Sequence, residues 1–129
     1  MTANFNENPV KHLEDLAHNQ KKPLYVAEYW SGWFTHWGDP HMAKMDSKVF
    51  ASYYEDIILK MNSSVNIYMF HGGTNFGFMN GANGVKSNGH SASTITSYDY
   101  DAPLTEAGLS QFYLNFHSIF NVLFNIVLI

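Results

Sequence analysis

The sequence contains neither cysteine nor arginine among its 129 residues. The missing cysteines exclude disulfide bonds, thiol nucleophiles and thiolate metal sites. All seven basic residues are lysines, eleven residues are acidic, and the formal net charge is −4. Because no basic cluster is present that could follow a phosphate backbone, the sequence predicts no nucleic-acid partner.

The N-terminal end of the chain lacks basic residues, and the C-terminal end lacks charged residues of either sign. Residues 1–10 have no basic start and no apolar run, so no signal peptide is predicted. Residues 112–129 contain no charged side chain, but three asparagines and a histidine interrupt them and no basic flank follows. A buried element or a divergent tail is therefore favoured, and a membrane span is the weaker alternative.

Several catalytic and cofactor motifs are also missing from the sequence. A phosphate-binding loop requires a glycine directly before Lys-Ser, whereas Val85 precedes Lys86-Ser87. A serine hydrolase requires a Gly-x-Ser-x-Gly elbow or its equivalent, and the sequence has none. His36, Asp39, His41 and His71 match no familiar spacing of metal ligands. The sequence therefore predicts no metal site and no cofactor.

Hydrophobic periodicity predicts helices that alternate with short strands. The predicted elements follow in this order: a helix that begins at Pro9 and ends at 21–23, a strand at 24–27 with Glu28 at its C-terminal end, a helix from a cap at Asp46 or Ser47 to Met61, and a strand at 65–70. Both strands lead into loops, and the second loop is rich in glycine and asparagine. This alternation predicts βα units around a parallel sheet, and hence an α/β fold.

Aromatic residues are abundant, at 16% of the sequence, and three tryptophans follow Glu28 within ten positions. An acid beside aromatic side chains suits a carbohydrate site, because the C–H faces of sugar rings pack against aromatic rings. Cleavage of a glycosidic bond requires two carboxyl groups, which lie about 5 Å apart in retaining enzymes. From composition alone, a surface acid beside core tryptophans remains the favoured interpretation.

Three long motifs change this balance: EYWSGWFTHWGDPH at 28–41, SVNIYMFHGGTNFGFMNGAN at 64–83 and TSYDYDAPLTEAG at 96–108. In order and spacing they resemble the β-galactosidases of glycoside hydrolase family 35, and the animal β-galactosidase-1-like proteins in particular. The resemblance implies a partial (β/α)8 TIM barrel, of which this chain carries about the last two to three βα units. It also implies a retaining exo-β-galactosidase that releases terminal β-linked galactose.

The same resemblance assigns roles to individual residues. Glu28 matches the catalytic nucleophile at the end of the seventh barrel strand. The residues that match substrate contacts are Trp33, Tyr68, Tyr98 and Tyr100. The implied substrates are galactose-terminated glycans, and no cofactor is implied. Asn62-Ser63-Ser64 is a candidate glycosylation site, which suits the secretory, extracellular or lysosomal location that the family implies.

The sequence departs from the family pattern in two places. Residues 1–108 are predicted to be the C-terminal portion of the catalytic barrel, and 109–129 a divergent hydrophobic tail. The family's acid/base glutamate lies in an Asn-Glu pair at the end of the fourth strand, for which no counterpart is recognised here. The isolated chain is therefore expected to be inactive. The alternatives are a non-catalytic carbohydrate-binding or inert short isoform, and a membrane-tethered short form.

Overall fold

The computed structural model describes residues 1–21, 23–85 and 89–109. Within these ranges the chain divides into two compact units. Unit 1 comprises 1–30 and 45–68, and unit 2 comprises 31–44 and 69–109. The predicted hydrophobic tail lies outside the described residues, apart from Leu109.

Unit 1 is an α/β unit built on a parallel sheet of three strands. Its elements in chain order are β1 (Ala3–Phe5), α1 (Pro9–Asn19), β2 (Leu24–Trp30), α2 (Ser47–Glu55) and β3 (Ser63–Tyr68). The strand order is β1-β2-β3 and both pairings are parallel, so β2 is the central strand. The predicted α/β class with a parallel sheet is confirmed.

The strand boundaries differ from the prediction in an informative way. β1 is absent from the predicted elements, because three residues are too few to show a period of two. β2 continues to Trp30, so the predicted end of this strand at Ala27 is wrong and Glu28 lies inside it. The apolar run stops at Ala27, but the hydrogen-bonded ladder continues through aromatic residues, which favour extended backbone. β3 begins and ends two residues earlier than predicted.

Local sequence explains where the two helices begin. α1 starts at Pro9, where the missing N–H is harmless because a first helical turn leaves it without a partner. Leu13 and Leu16, three residues apart, are both buried. α2 is capped by Asp46, whose Oδ1 accepts hydrogen bonds from the second and third helical N–H groups at 2.9 and 3.1 Å. A π-helical turn, Asp56–Lys60, continues α2.

The core of unit 1 is organised around Tyr29. Its ring stacks on Phe50 of α2 with centroids 4.5 Å apart, and its hydroxyl donates a hydrogen bond to the Phe50 carbonyl oxygen at 2.9 Å. Burial, with a smaller contribution from Tyr53, raises the pKa of the Tyr29 phenol far above its ordinary value. Tyr29 therefore stays neutral and connects the central strand to the helix layer.

Unit 2 consists of loops joined by backbone hydrogen bonds. Two short strands, β4 (Ala82–Val85) and β5 (Ser91–Ser93), pair antiparallel within it. The segment 93–98 exchanges backbone hydrogen bonds with 35–37 on one side and with 73–81 on the other. β4 and β5 lie in a region predicted as loop, because its many glycines and asparagines conceal a strand pattern.

Candidate active site

The central strand β2 has one extra residue relative to both of its neighbours, next to Glu28. On the β1 side, two consecutive residues of β1 pair with Val26 and Glu28, so Ala27 has no opposite residue. On the β3 side, Val26 pairs with Val65 and Tyr29 pairs with Ile67. Three positions along β2 therefore correspond to two along β3. Both registers therefore show a β-bulge at 27–28.

This bulge decides which face of the sheet carries Glu28. Leu24 and Val26, before the bulge, and Tyr29, after it, all belong to the hydrophobic core. Since side chains alternate along a strand, a regular β2 would direct Glu28 to the same face as Leu24 and Val26. The extra residue shifts the alternation by one position. Glu28 is consequently half-buried on the face opposite the helices, and the hydrophobic core receives no carboxylate.

Trp30 and Tyr68 share this face with Glu28. The Trp30 indole N–H donates a hydrogen bond to Oε2 of Glu28 at 2.8 Å, which fixes the orientation of the carboxylate relative to the indole ring. Trp30 pairs directly with Tyr68 of β3, and paired residues on neighbouring strands project from the same face. The structure thus brings the predicted residues Glu28 and Tyr68 onto one surface. Trp30, which is not among the predicted site residues, lies on the same surface, and its i, i+2 spacing from Glu28 indicates this once β2 extends beyond Glu28.

Asn66 stabilises the bulge from the neighbouring strand. It is the residue of β3 that lies opposite the bulge, and its Nδ2 donates a hydrogen bond to the Ala27 carbonyl oxygen at 3.1 Å. A bulge interrupts the regular ladder and removes backbone groups from it. Asn66 supplies a donor to the carbonyl directly before Glu28, and so fixes the backbone from which the carboxylate projects. No sequence pattern indicates this contact.

The other three predicted substrate contacts lie in unit 2, where they form one aromatic cluster. Tyr98 and Tyr100 stack with centroids 5.6 Å apart, and Trp33 lies 6.0 Å from Tyr100. Phe34, which is not among the predicted site residues, meets the two tyrosines edge-on at 5.0 and 5.4 Å. Trp33 is 37% exposed, Tyr98 is half-buried and Tyr100 is only 2% exposed. The structure therefore brings Trp33, Tyr98 and Tyr100 together within unit 2.

The backbone at Tyr100 is strained. Tyr100 and Asp101 both have left-handed conformations, with φ of 61° and 52°. The side-chain Oδ1 of Asp99 accepts a hydrogen bond from the Asp101 N–H at 3.1 Å. The backbone carbonyl oxygen of Asp99 accepts one from the Ala102 N–H at 3.0 Å. Unfavourable conformations of this kind persist only where surrounding contacts hold them, and they are frequent at ligand sites.

Two of the candidate metal ligands, His36 and His71, lie within hydrogen-bonding distance of protein groups. Nδ1 of His36 lies 3.0 Å from Oδ2 of Asp39, and Nε2 of His71 lies 3.4 Å from the Glu106 carbonyl oxygen. In residues 1–21, 23–85 and 89–109, no group of three or more His, Asp or Glu side chains could hold a metal ion. The helices in these ranges are all too short or too polar to cross a bilayer. Asn62, the predicted glycosylation site, is exposed directly before β3.

Known proteins resemble this chain over most of its length. A family model described as "Glycosyl hydrolases family 35" matches residues 1–123. "Beta-galactosidase-1-like protein 3" of Homo sapiens is 50% identical over 100 residues, covering 77% of this chain and 14% of that protein. "Beta-galactosidase" of Xanthomonas manihotis is 54% identical over 88 residues, which cover 67% of this chain and 14% of that protein. "Beta-galactosidase 1" of Dictyostelium discoideum is 43% identical over 113 residues, which cover 83% of this chain and 17% of that protein.

The chain thus spans about one seventh to one sixth of the length of these curated relatives. The family match includes residues of both units, among them Glu28, Asn66 and the aromatic cluster. Identities of 43–54% extend over two thirds or more of the chain. They confirm the resemblance that the three sequence motifs indicate, and the chain belongs to the glycosyl hydrolases of family 35.

Proposed function

We propose that the chain forms the nucleophile-bearing part of a retaining β-galactosidase whose complete catalytic domain is a (β/α)8 barrel. The observation that carries this proposal is the bulge, which puts a half-buried Glu28 on the face opposite the helices, close to the carboxyl end of the central strand. In barrels of parallel strands, this end holds the active site. Family membership and the names of the relatives support the reaction class.

The proposed mechanism is a double displacement at the anomeric carbon. The ionised carboxylate of Glu28 attacks this carbon and forms a glycosyl ester, while an acid protonates the departing glycosidic oxygen. Water then cleaves the ester and releases galactose with retained configuration. The Trp30 N–H holds Oε2 of the carboxylate, so that Oε1 is the attacking oxygen. Trp33, Tyr68, Tyr98 and Tyr100 are the proposed contacts with the sugar.

The acid/base partner is not among the residues assigned here. We propose that 1–108 are the C-terminal portion of the barrel, that 109–129 are a separate tail, and that the family's acid/base glutamate comes from an earlier barrel strand. General acid catalysis typically contributes about 10²- to 10⁴-fold to a rate. The exposed Asn62 supports passage through the secretory pathway to an extracellular or lysosomal location, which a carbohydrate-dependent mass shift at Asn62 would test.

A segment exchange tests the proposed function. In the Xanthomonas manihotis beta-galactosidase, the segment that aligns with 24–108 is replaced by those residues of this chain. We expect this chimaera to hydrolyse a chromogenic aryl β-galactoside within about tenfold of the parent rate, which corresponds to about 1.4 kcal/mol of activation free energy. The 129-residue chain alone is expected to give no rate above buffer. A chimaera that melts like its parent but does not hydrolyse the substrate would refute the proposal.

Asn66 is proposed as a positioning residue for Glu28. In the chimaera, we expect Asn66→Ala to lower kcat about tenfold or more with little change in KM, because small displacements of a reacting group cost up to about 10²-fold. Asn66→Asp, which keeps the size but loses the donor, should lower kcat equally. Ser64→Ala, an exposed position on the same face of β3, is the control and should leave kcat unchanged. Equal kcat values for all four proteins would refute the positioning role, as would losses that follow the melting temperature alone.

A further inference from the structure

Unit 2 contains a cavity of about 250 Å³, and its lining includes Tyr98, one of the proposed sugar contacts, beside residues to which the proposed mechanism gives no role. Its described lining residues come from three stretches of unit 2: position 34, positions 75 and 80–83, and positions 94 and 98. The side chains with recognisable binding chemistry are two aromatic rings, three amides and one hydroxyl: Phe34, Tyr98, Asn75, Asn80, Asn83 and Thr94. None of the described residues in the lining is charged, so this part of the cavity suits a neutral ligand.

Backbone hydrogen bonds hold the walls of this cavity in place. The N–H of Ile95 donates to the Thr35 carbonyl oxygen at 3.1 Å, and the N–H of Asn75 donates to the Thr96 carbonyl oxygen at 2.8 Å. The central segment is thus joined to the segments on both of its sides. A preformed cavity binds a ligand without the entropic cost of ordering its walls.

The amides of Asn75 and Asn80 are oriented by their own hydrogen bonds. Nδ2 of Asn75 donates to the Thr96 carbonyl oxygen at 3.3 Å. Nδ2 of Asn80 donates to the carbonyl oxygen of Thr94 and to its Oγ1, the latter at 3.0 Å. Within the described ranges no donor reaches Oδ1 of either asparagine, and the side chain of Asn83 makes no hydrogen bond there. Three amides therefore line the cavity, and two of them are held through Nδ2 while their oxygens keep the capacity to accept a hydrogen bond.

Oriented acceptors next to aromatic rings match the chemistry of a sugar. The hydroxyl groups of a pyranose donate hydrogen bonds to amide oxygens, and its C–H face packs on an aromatic ring. The volume lies just below the range of about 300–1,000 Å³ for drug-sized ligands, which suits a single ring. We propose that this cavity is a saccharide subsite that binds one pyranose ring. The choice of a sugar as the ligand class rests on the proposed function.

Titration of the full chain with methyl β-galactoside, followed by ¹H–¹⁵N correlation spectra, tests the subsite. We expect the side-chain amide signals of Asn75, Asn80 and Asn83 to shift saturably, with a Kd on the order of millimolar for so small a ligand. Asn83→Ala should weaken binding by about three- to tenfold, the effect of one lost hydrogen bond. Asn6→Ala removes another exposed asparagine, from unit 1, and should not change the Kd.

Three results would overturn the subsite: no saturable shift at these amides, equal affinities for Asn83→Ala and the unmodified chain, or spectra without the dispersion of a folded unit 2. Circular dichroism of Asn83→Ala separates lost binding from lost structure. The chimaera distinguishes this proposal from the proposed function. Glu28-dependent hydrolysis without amide shifts would refute the subsite alone. Amide shifts without Glu28-dependent hydrolysis would refute the nucleophile and leave a carbohydrate-binding chain.

Discussion

Replacing Glu28 with glutamine in the chimaera is expected to lower kcat for an aryl β-galactoside by at least about 10⁴-fold, since loss of a covalent nucleophile in other hydrolases costs that much or more. Glutamine has nearly the same shape as glutamate. Its carbonyl oxygen can still accept the Trp30 N–H that reaches Oε2 at 2.8 Å. The neutral amide, however, is a poor nucleophile and cannot form the glycosyl ester. The structure should therefore persist while turnover disappears.

Two further measurements make the Glu28 result specific. Glu55→Gln removes an exposed acid at the end of α2 and should leave kcat unchanged. An activated 2-deoxy-2-fluoro-galactoside needs little help from a general acid, so it should label the unmodified chimaera at Glu28 and leave the Glu28→Gln variant unlabelled. If the adduct maps to another residue, or if Glu28→Gln keeps more than about one hundredth of the activity, the nucleophile lies elsewhere.

Replacing Gly72 with alanine is expected to destabilise unit 2 by about 3 kcal/mol or more. A Cβ at this position would overlap the carbonyl oxygen of Tyr98 and would lie 3.1 Å from the carbonyl oxygen of Asp99. These are backbone atoms, which cannot rotate out of the way as a side chain can. Overpacking at such sites costs about 1–3 kcal/mol and sometimes more. Here it would also separate the Tyr98 N–H from the Gly73 carbonyl, which it meets at 3.0 Å.

Gly81 provides the matched control for Gly72. A Cβ at Gly81 would meet no heavy atom within 4 Å, and its φ lies outside the left-handed range. Gly81→Ala should therefore change the free energy of unfolding by less than about 1 kcal/mol, with stabilisation possible because alanine restricts the unfolded chain. Urea unfolding of both variants of the chimaera measures the difference. Equal midpoints would show that the 70–73 and 98–99 segments separate at little cost.

The element pattern and the family are readable from the amino-acid sequence. Alternating helix and strand periodicity predicts the α/β class, and α1 and α2 begin where Pro9 and Asp46 indicate. Both signals are local, because a helix start depends on the few residues that supply or lack its first hydrogen bonds. The family follows from three long motifs, whose combined length makes chance similarity improbable. For the same reason, Glu28 stands out as the candidate nucleophile before any fold is known.

The face of the sheet that carries Glu28 depends on tertiary structure. Whether β2 alternates regularly through Ala27 or bulges there depends on its pairing with both β1 and β3, and one of those strands is too short to show in a sequence pattern. The Asn66 hydrogen bond to Ala27 spans 39 positions, so it is equally invisible to local analysis. A shift of one residue reverses every side chain beyond it. With a regular β2, the same amino-acid sequence would direct the Glu28 carboxylate into the hydrophobic core. The pairing of β2 with β1 and β3 introduces the bulge that places it on the opposite face.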